Sequence, residues 1–162
     1  MEYLIRPLKK NEYHILEKML YEAIYQPDED NLIPREVIEQ PEIHTYINNF
    51  GEKQGDYCLV AKVDGIIVGA VWTRILAGDI KGFGFIDSET PEFAISLFKE
   101  YRSKGIGTKL MCVMIEHLRN SGYKQTSLNV KKENYAVRLY KNLGFKIINE
   151  DSEDYLMLLQ LA

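Results

Sequence analysis

The chain has 162 residues, of which 46% are hydrophobic, 27% charged and 11% aromatic, the proportions of an ordinary folded domain. At this length folding buries roughly 70% of the unfolded chain's surface, so a single core forms without disulfide or metal staples. Twenty lysines and arginines against 24 acids leave a net charge of -4, which argues against a protein that coats nucleic acid through excess positive charge.

Tyr3, Leu4, Ile5 and Arg6 read as a short strand closed by Pro7, and Glu12 to Tyr25 follows with Ile15, Leu16, Met19, Leu20, Ala23 and Ile24 at helical spacing. Gln26 to Asn31 is a loop holding Asp28, Glu29 and Asp30, and Pro34 opens a second helical stretch expected to reach about Phe50. Tyr57 to Val63 and Ile66 to Leu76 are rich in β-branched and aromatic residues. The intervening Asp64-Gly65 is a preferred type I′ turn pair, so the two runs form a hairpin.

After a link containing Gly78, Gly82 and Gly84, Phe93 to Phe98 is a strand. Gly105 to Asn120 is a helix with Ile106, Leu110, Val113, Met114 and Leu118 on its apolar side, stopped by Gly122. Gln125 to Val130 is a strand, Asn134 to Leu143 a helix, and Phe145 to Ile148 and Tyr155 to Leu161 are the last strands. The order β α α β β β α β α β β indicates one α/β domain with a mixed sheet spanning residues 1–162.

Cys58 and Cys112 form no C-x-x-C pair, and His14, His44 and His117 are scattered, so the pattern supports neither a disulfide framework nor a metal site. Both cysteines are expected to be small buried hydrophobes in a reducing compartment. Met1 to Lys10 lacks the apolar core of a signal peptide and no apolar run approaches a membrane span, so a cytoplasmic protein is expected.

The run from Phe93 to Thr108 carries the chemistry. A strand leads through Lys99, Glu100, Tyr101, Arg102, Ser103 and Lys104 into Gly105-Ile106-Gly107-Thr108 at a helix start. The first N–H groups of a helix lack intrahelical partners and the dipole adds about half a positive charge there, so the segment suits an anion. Arg102 and Lys104, with Lys109 nearby, supply countercharge. A Walker A loop fails because Gly107 is followed by Thr108 before Lys109, and a Rossmann fingerprint fails because Leu110 occupies the third glycine position. A tight strand-to-helix turn with solvated charges remains the plain alternative.

The same run continues into Asn134-Tyr135-Ala136, Leu139-Tyr140 and Gly144-Phe145. Together with Arg102-x-x-Gly105-x-Gly107, these residues resemble the GNAT acetyltransferase superfamily, of bacterial type, closely from Glu92 to Phe145 and with no departure in the coenzyme motif. The resemblance implies a mixed, mostly antiparallel sheet flanked by helices. It implies acetyl-CoA as cosubstrate, its pyrophosphate on Arg102 to Thr108 (Arg102, Ser103, Lys104, Gly105, Ile106, Gly107, Thr108), its pantetheine arm along the backbone of Ile95 and Leu97, and Asn134 and Tyr140 beside it. No metal is required. The acceptor is a small-molecule or peptide amine, with no nucleic acid or membrane partner, and a homodimer through the C-terminal strands is implied by resemblance alone.

Tyr140 shares a helix face with Ala136 and Leu143 and by pattern is a core residue; the resemblance instead brings it to the coenzyme sulfur, where a phenol can protonate a departing thiolate. Glu92, after Pro91 at the strand start, is a candidate general base for the attacking amine, against the reading of a solvated acid at a strand end. Asn134 is also a favoured N-cap residue, and both roles can hold together; Asp28, Glu29 and Asp30 read first as a solvated turn, with a site for a cationic acceptor as the alternative. A noncatalytic coenzyme A binding or sensing module is the rival to an enzyme; it needs the anion loop and neither Tyr140 nor Glu92.

Overall fold

The structure, a computed structural model, describes residues 1–162. Seven strands, β1 (Leu4–Pro7), β2 (Tyr57–Val63), β3 (Ile66–Arg74), β4 (Glu92–Leu97), β5 (Gln125–Lys131), β6 (Lys146–Glu150) and β7 (Asp154–Gln160), form one sheet in the order β1-β2-β3-β4-β5-β7-β6. Every neighbouring pair is antiparallel except β4 and β5. The helices are α1 (Ile15–Ala23), α2 (Pro41–His44), α3 (Ile106–Asn120) and α4 (Ala136–Asn142). None is long and apolar enough to cross a membrane. The element order matches the sequence expectation for a mixed α/β sheet.

Alternation along β2 divides the core between the two sheet faces. Cys58 and Val60 pack with Leu16, Met19 and Leu20 of α1, whereas Leu59, Ala61 and Val63 pack with Leu110, Met114 and Leu118 of α3. With both faces covered, β2 and β3 need apolar residues at nearly every position, which is why they read as continuous hydrophobic runs. The turn between them has Asp64 at φ 49° and Gly65 at φ 80°, the two left-handed residues of a type I′ hairpin.

Two expectations are corrected. The stretch from Pro34 to Phe50 is not one helix: a 3-10 turn over Arg35–Glu39 ends at Gln40, which is extended (φ -63°, ψ 132°), and α2 restarts at Pro41. Proline forces its predecessor out of the helical region, so the periodic pattern is cut at that point. Cys112 is exposed, unlike buried Cys58, because the core-facing stripe of α3 runs through Ile106, Leu110, Met111, Met114, Ile115 and Leu118 and leaves position 112 to solvent.

What holds the irregular segment 41–56 to the sheet is a buried ion pair. Arg74 at the end of β3 donates through Nε and Nη2 to Asp56 (2.9 and 2.8 Å), and its Nη1 donates to the carbonyls of Thr45 and Asn48 (3.0 and 2.6 Å). Asp56 Oδ2 also accepts the N–H groups of Gly51 and Lys53. Both side chains are at most 1% exposed. The bonds around this pair are sufficient to satisfy two charges that would otherwise be stranded away from water. Asp56→Ala should therefore destabilise the protein by about 3–5 kcal/mol, read as a shift in urea denaturation, whereas replacing both partners with apolar residues should cost much less.

Candidate active site

The sheet opens where its one parallel pair should be. β3 and β4 are in register over six pairs and β5 and β7 over seven, but β4 and β5 share only Glu92 with Ser127. Beyond that point the strands diverge. Phe98 N–H bonds back to Val68 in β3, and Ser127 N–H bonds to Pro91 O on the other edge. Strand alternation then turns the N–H groups of Ile95 and Leu97 toward the gap, where β5 gives them no partner. An open strand edge of this kind can pair with an extended ligand.

The gap deepens into a cleft with two branches. One, of about 540 Å³, is walled by β4 from Ile95 to Leu97, the end of α1, the loop Arg102 to Thr108, and α4. The other, of about 350 Å³, lies on the far side of Ile95 and holds Glu92, Tyr46, Phe83 and Asn129. Ile95, Asn134, Tyr140 and Tyr25 border both branches, so the junction falls at these residues.

At the first branch the chain passes through the left-handed region at Ser103 (φ 60°) and Gly105 (φ 86°) before α3 begins. Glycine is required at 105 by that φ, and no side chain caps the helix, so the N–H groups of Gly105 to Thr108 have no intrahelical acceptor. Ser103, Gly105, Gly107 and Thr108 line the branch; Ile106 is buried in the core and can offer only its backbone. The side-chain countercharge is smaller than expected. Arg102 lines the branch, but its Nε donates to Leu97 O (3.0 Å) and its Nη2 to Glu22 (3.3 Å), while Lys104 is exposed and is not part of the wall.

At the second branch Glu92 is only 4% exposed, not the solvated acid that its place at a strand end suggested. Tyr46 Oη donates to one carboxylate oxygen and accepts the N–H of Phe83 (2.8 Å), while the other oxygen has no hydrogen-bond partner. Burial pushes the Glu92 carboxyl up to about 7, with the Tyr46 hydrogen bond acting in the opposite direction. Tyr46 is raised in turn by burial and by the facing carboxylate.

The link Gly78 to Gly84 acquires a reason here. A Cβ at Gly82 would overlap the Glu92 carboxylate, and one at Gly84 would stand 2.9 Å from its carboxyl carbon. This loop is fastened to β5 by Ser127 Oγ donating to Gly84 O (2.6 Å).

Tyr140 is buried at the junction, its ring edge-on to Phe145 (6.0 Å), and burial raises its hydroxyl above the ordinary phenol value, which keeps it protonated. Asn134 Oδ1 accepts the N–H of Ala136, the first residue of α4 (2.9 Å), from the position just before the N-cap Tyr135, while bordering the cleft. Two site residues had no sequence signal. Tyr46 lay inside an expected helical stretch, and Glu22 is one of two acids on α1, with nothing local to set it apart from Glu17.

The β-sheet is thus parted at its parallel pair, with a helix N-terminus on one side of the opening and a buried carboxylate on the other. Residues 18–145 match the acetyltransferase (GNAT) family, and the chain belongs to it. It is similar to the N-alpha-acetyltransferase of Saccharolobus solfataricus, 33% identical over an alignment of 144 positions that covers 80% of this chain and 86% of that one. The fold is that of a GNAT-family acetyltransferase from Streptococcus pneumoniae (TM-score 0.69, 24% identity, covering 99% of this chain and 100% of that chain). It is also that of the PaiA N-acetyltransferase of Thermoplasma acidophilum, solved in complex with coenzyme A (TM-score 0.68, 20% identity, covering 99% of each chain). The protein is therefore an acyl-CoA-dependent N-acetyltransferase, and acetyl transfer to an amine is its general reaction.

Because Glu22 sits in the first branch beside Arg102, it opposes any anion placed there. Glu22→Gln should tighten acetyl-CoA binding a few-fold, Arg102→Ala should weaken it with a loss that shrinks at high salt, and Lys104→Ala should change it little. Isothermal titration of the three variants at two ionic strengths checks this.

Proposed function

We propose that residues 1–162 act as a single acetyltransferase domain in which acetyl-CoA and the amine bind together and react directly, with the thioester at the junction of the two branches. The observation that carries this reading is the junction itself: Ile95 and Tyr140 border both branches, with the unpaired N–H groups of β4 on one side and Glu92 on the other. The pyrophosphate sits on the N–H groups of Gly105 to Thr108 beside Arg102 and Ser103, and the pantetheine arm extends β4 by pairing with Ile95 and Leu97. Asn134 flanks the arm.

The thioester carbonyl points at a β4 N–H, which stabilises the oxyanion as charge develops. Glu92 removes a proton from the incoming ammonium, directly or through water, and the freed nitrogen lone pair attacks the carbonyl carbon. The tetrahedral intermediate collapses with loss of the C–S bond, the departing thiolate takes the proton of Tyr140, and the extra proton left on the amide nitrogen passes to the phenolate, directly or through water, while Glu92 returns its own proton to solvent. A carboxyl raised to about 7 is a stronger base than an exposed one and is still ionised in a large fraction at neutral pH.

The rate should thus rise with pH through about 7 as Glu92 loses its proton. Glu92→Gln should remove that limb and lower kcat on the order of a hundredfold with acetyl-CoA affinity retained. The same group gives a stability signature of opposite sense. Its folded pKa lies above the unfolded one, so its contribution is complete below the unfolded carboxylate range and is lost as pH rises through about 7. Glu92→Gln should accordingly raise Tm relative to the parent above pH 7 and lose that advantage toward pH 4, as followed by thermal melts across this range. Tyr140→Phe should bind acetyl-CoA unchanged and turn over roughly a hundredfold more slowly; full activity per folded molecule would return it to a packing role, and no acceptor-dependent thiol release from either protein would indicate a coenzyme sensor.

A further inference from the structure

We infer that the acceptor is a primary amine attached to an apolar or aromatic group and carrying no second positive charge, whether on a small molecule or at the N-terminus of a peptide. The inference rests on the acetyl-transfer reading and concerns the branch that holds Glu92.

The charge inventory of that branch is short. Of its eighteen lining residues thirteen are apolar or aromatic, and the only ionisable acids and bases among the polar ones are Glu92, Lys131 and Asp154. Lys131 Nζ lies 3.1 Å from Asp154 Oδ1 and 3.3 Å from Glu153 Oε2, so Lys131 and Asp154 neutralise each other. One carboxylate remains, and its free oxygen can accept from one ammonium. A second cation on the same acceptor would lie against Ile24, Ile43 and Phe83, with nothing to replace its water, and burying an unpaired charge is costly.

The acidic run that suggested a cationic acceptor does not reach this branch. Glu29 pairs with Lys99 and borders the other branch, and Asp28 accepts the N–H of Asp30 within its own turn. None of the three residues lines the wall around Glu92.

The same wall offers a seat for an apolar body. Phe83 is 56% exposed although it is a large aromatic side chain, and its ring stacks on Tyr46 at 6.4 Å and 15°. It therefore continues the aromatic surface whose hydroxyl holds Glu92, and a flat or aliphatic group beside the amine can cover it. The volume of about 350 Å³ falls at the small end of small-molecule sites, roughly 300–1,000 Å³, which suits one side chain or ring.

The experiment measures thiol release at saturating acetyl-CoA with five acceptors: 2-phenylethylamine, a peptide beginning with Phe, a peptide beginning with Asp, spermidine and an aminoglycoside. The first two should exceed the other three in kcat/KM by roughly tenfold or more, and whichever of the two is faster identifies the source of the amine. Phe83→Ala should raise KM for the preferred acceptor several-fold without changing acetyl-CoA affinity, and Phe83→Leu, which keeps an apolar side chain, should recover part of the loss. Equal or faster reaction of spermidine, the aminoglycoside or the Asp peptide overturns the inference while leaving the acetyl-transfer reading intact. Failure of every amine to release thiol, with acetyl-CoA binding measured by titration, overturns both.

Discussion

The constraint on which the rest of the structure depends is the parting of β4 from β5 after a single register pair. A sheet closed at this point would satisfy its own hydrogen bonds and leave no place for a ligand. Here the backbone of Ile95 and Leu97 is left with donors to spare, and the structure compensates by packing the ends of the strands elsewhere. Phe93 of β4 meets Phe145 edge-on at 5.9 Å, and Phe145 meets Tyr140 of α4. The aromatic contacts that support the open region are also what brings Tyr140 to the junction of the two branches, so in the proposed reaction packing and chemistry share the same side chains.

Glu92 occupies the last paired position before the opening, and its setting shows how stability and reactivity oppose each other. Its charge is disfavoured by burial, and its two nearest supports, Tyr46 and the glycine loop, are themselves held by remote contacts. Trp72 Nε1 donates to Tyr46 O (3.1 Å), and the segment carrying Tyr46 is tied to the sheet by Arg74 and Asp56. A buried ion pair far along the chain thus fixes the tyrosine that orients the carboxylate. Such an arrangement leaves the ionised acid poorly solvated until a cation arrives, which is the state required of the proposed general base.

The opposite branch, as the proposed seat of the coenzyme phosphates, poses a different electrostatic problem, since the chain carries a net charge of -4. In the proposed reading the donors are mainly backbone N–H groups at the start of α3, which no lysine or arginine has to supply. Arg102 adds charge but spends part of its bonding on Leu97 O and Glu22, so it also stitches the end of β4 to α1. Local backbone geometry outweighs overall charge in deciding what this surface accepts.

The sequence by itself determined the elements whose signals are local. The Asp64-Gly65 hairpin, the stripe of α3, the order of strands and helices, and the Arg102 to Thr108 loop with Tyr140 and Asn134 behind it are all carried by residues within a few positions of one another, where turn dihedrals, periodicity and unpaired helix N–H groups operate. Local signals also misled where a single residue overrides a pattern, as Pro41 does in the stretch after Pro34 and as the helical period does for Cys112. Only the tertiary structure decided that Glu92 is buried rather than solvated, that Tyr46 holds it from 46 positions away, that Gly82 and Gly84 make room for it, and that Glu22 offsets Arg102 from 80 positions away. Those relations depend on desolvation and on distances between side chains brought together by the sheet, and neither quantity exists until the chain has folded.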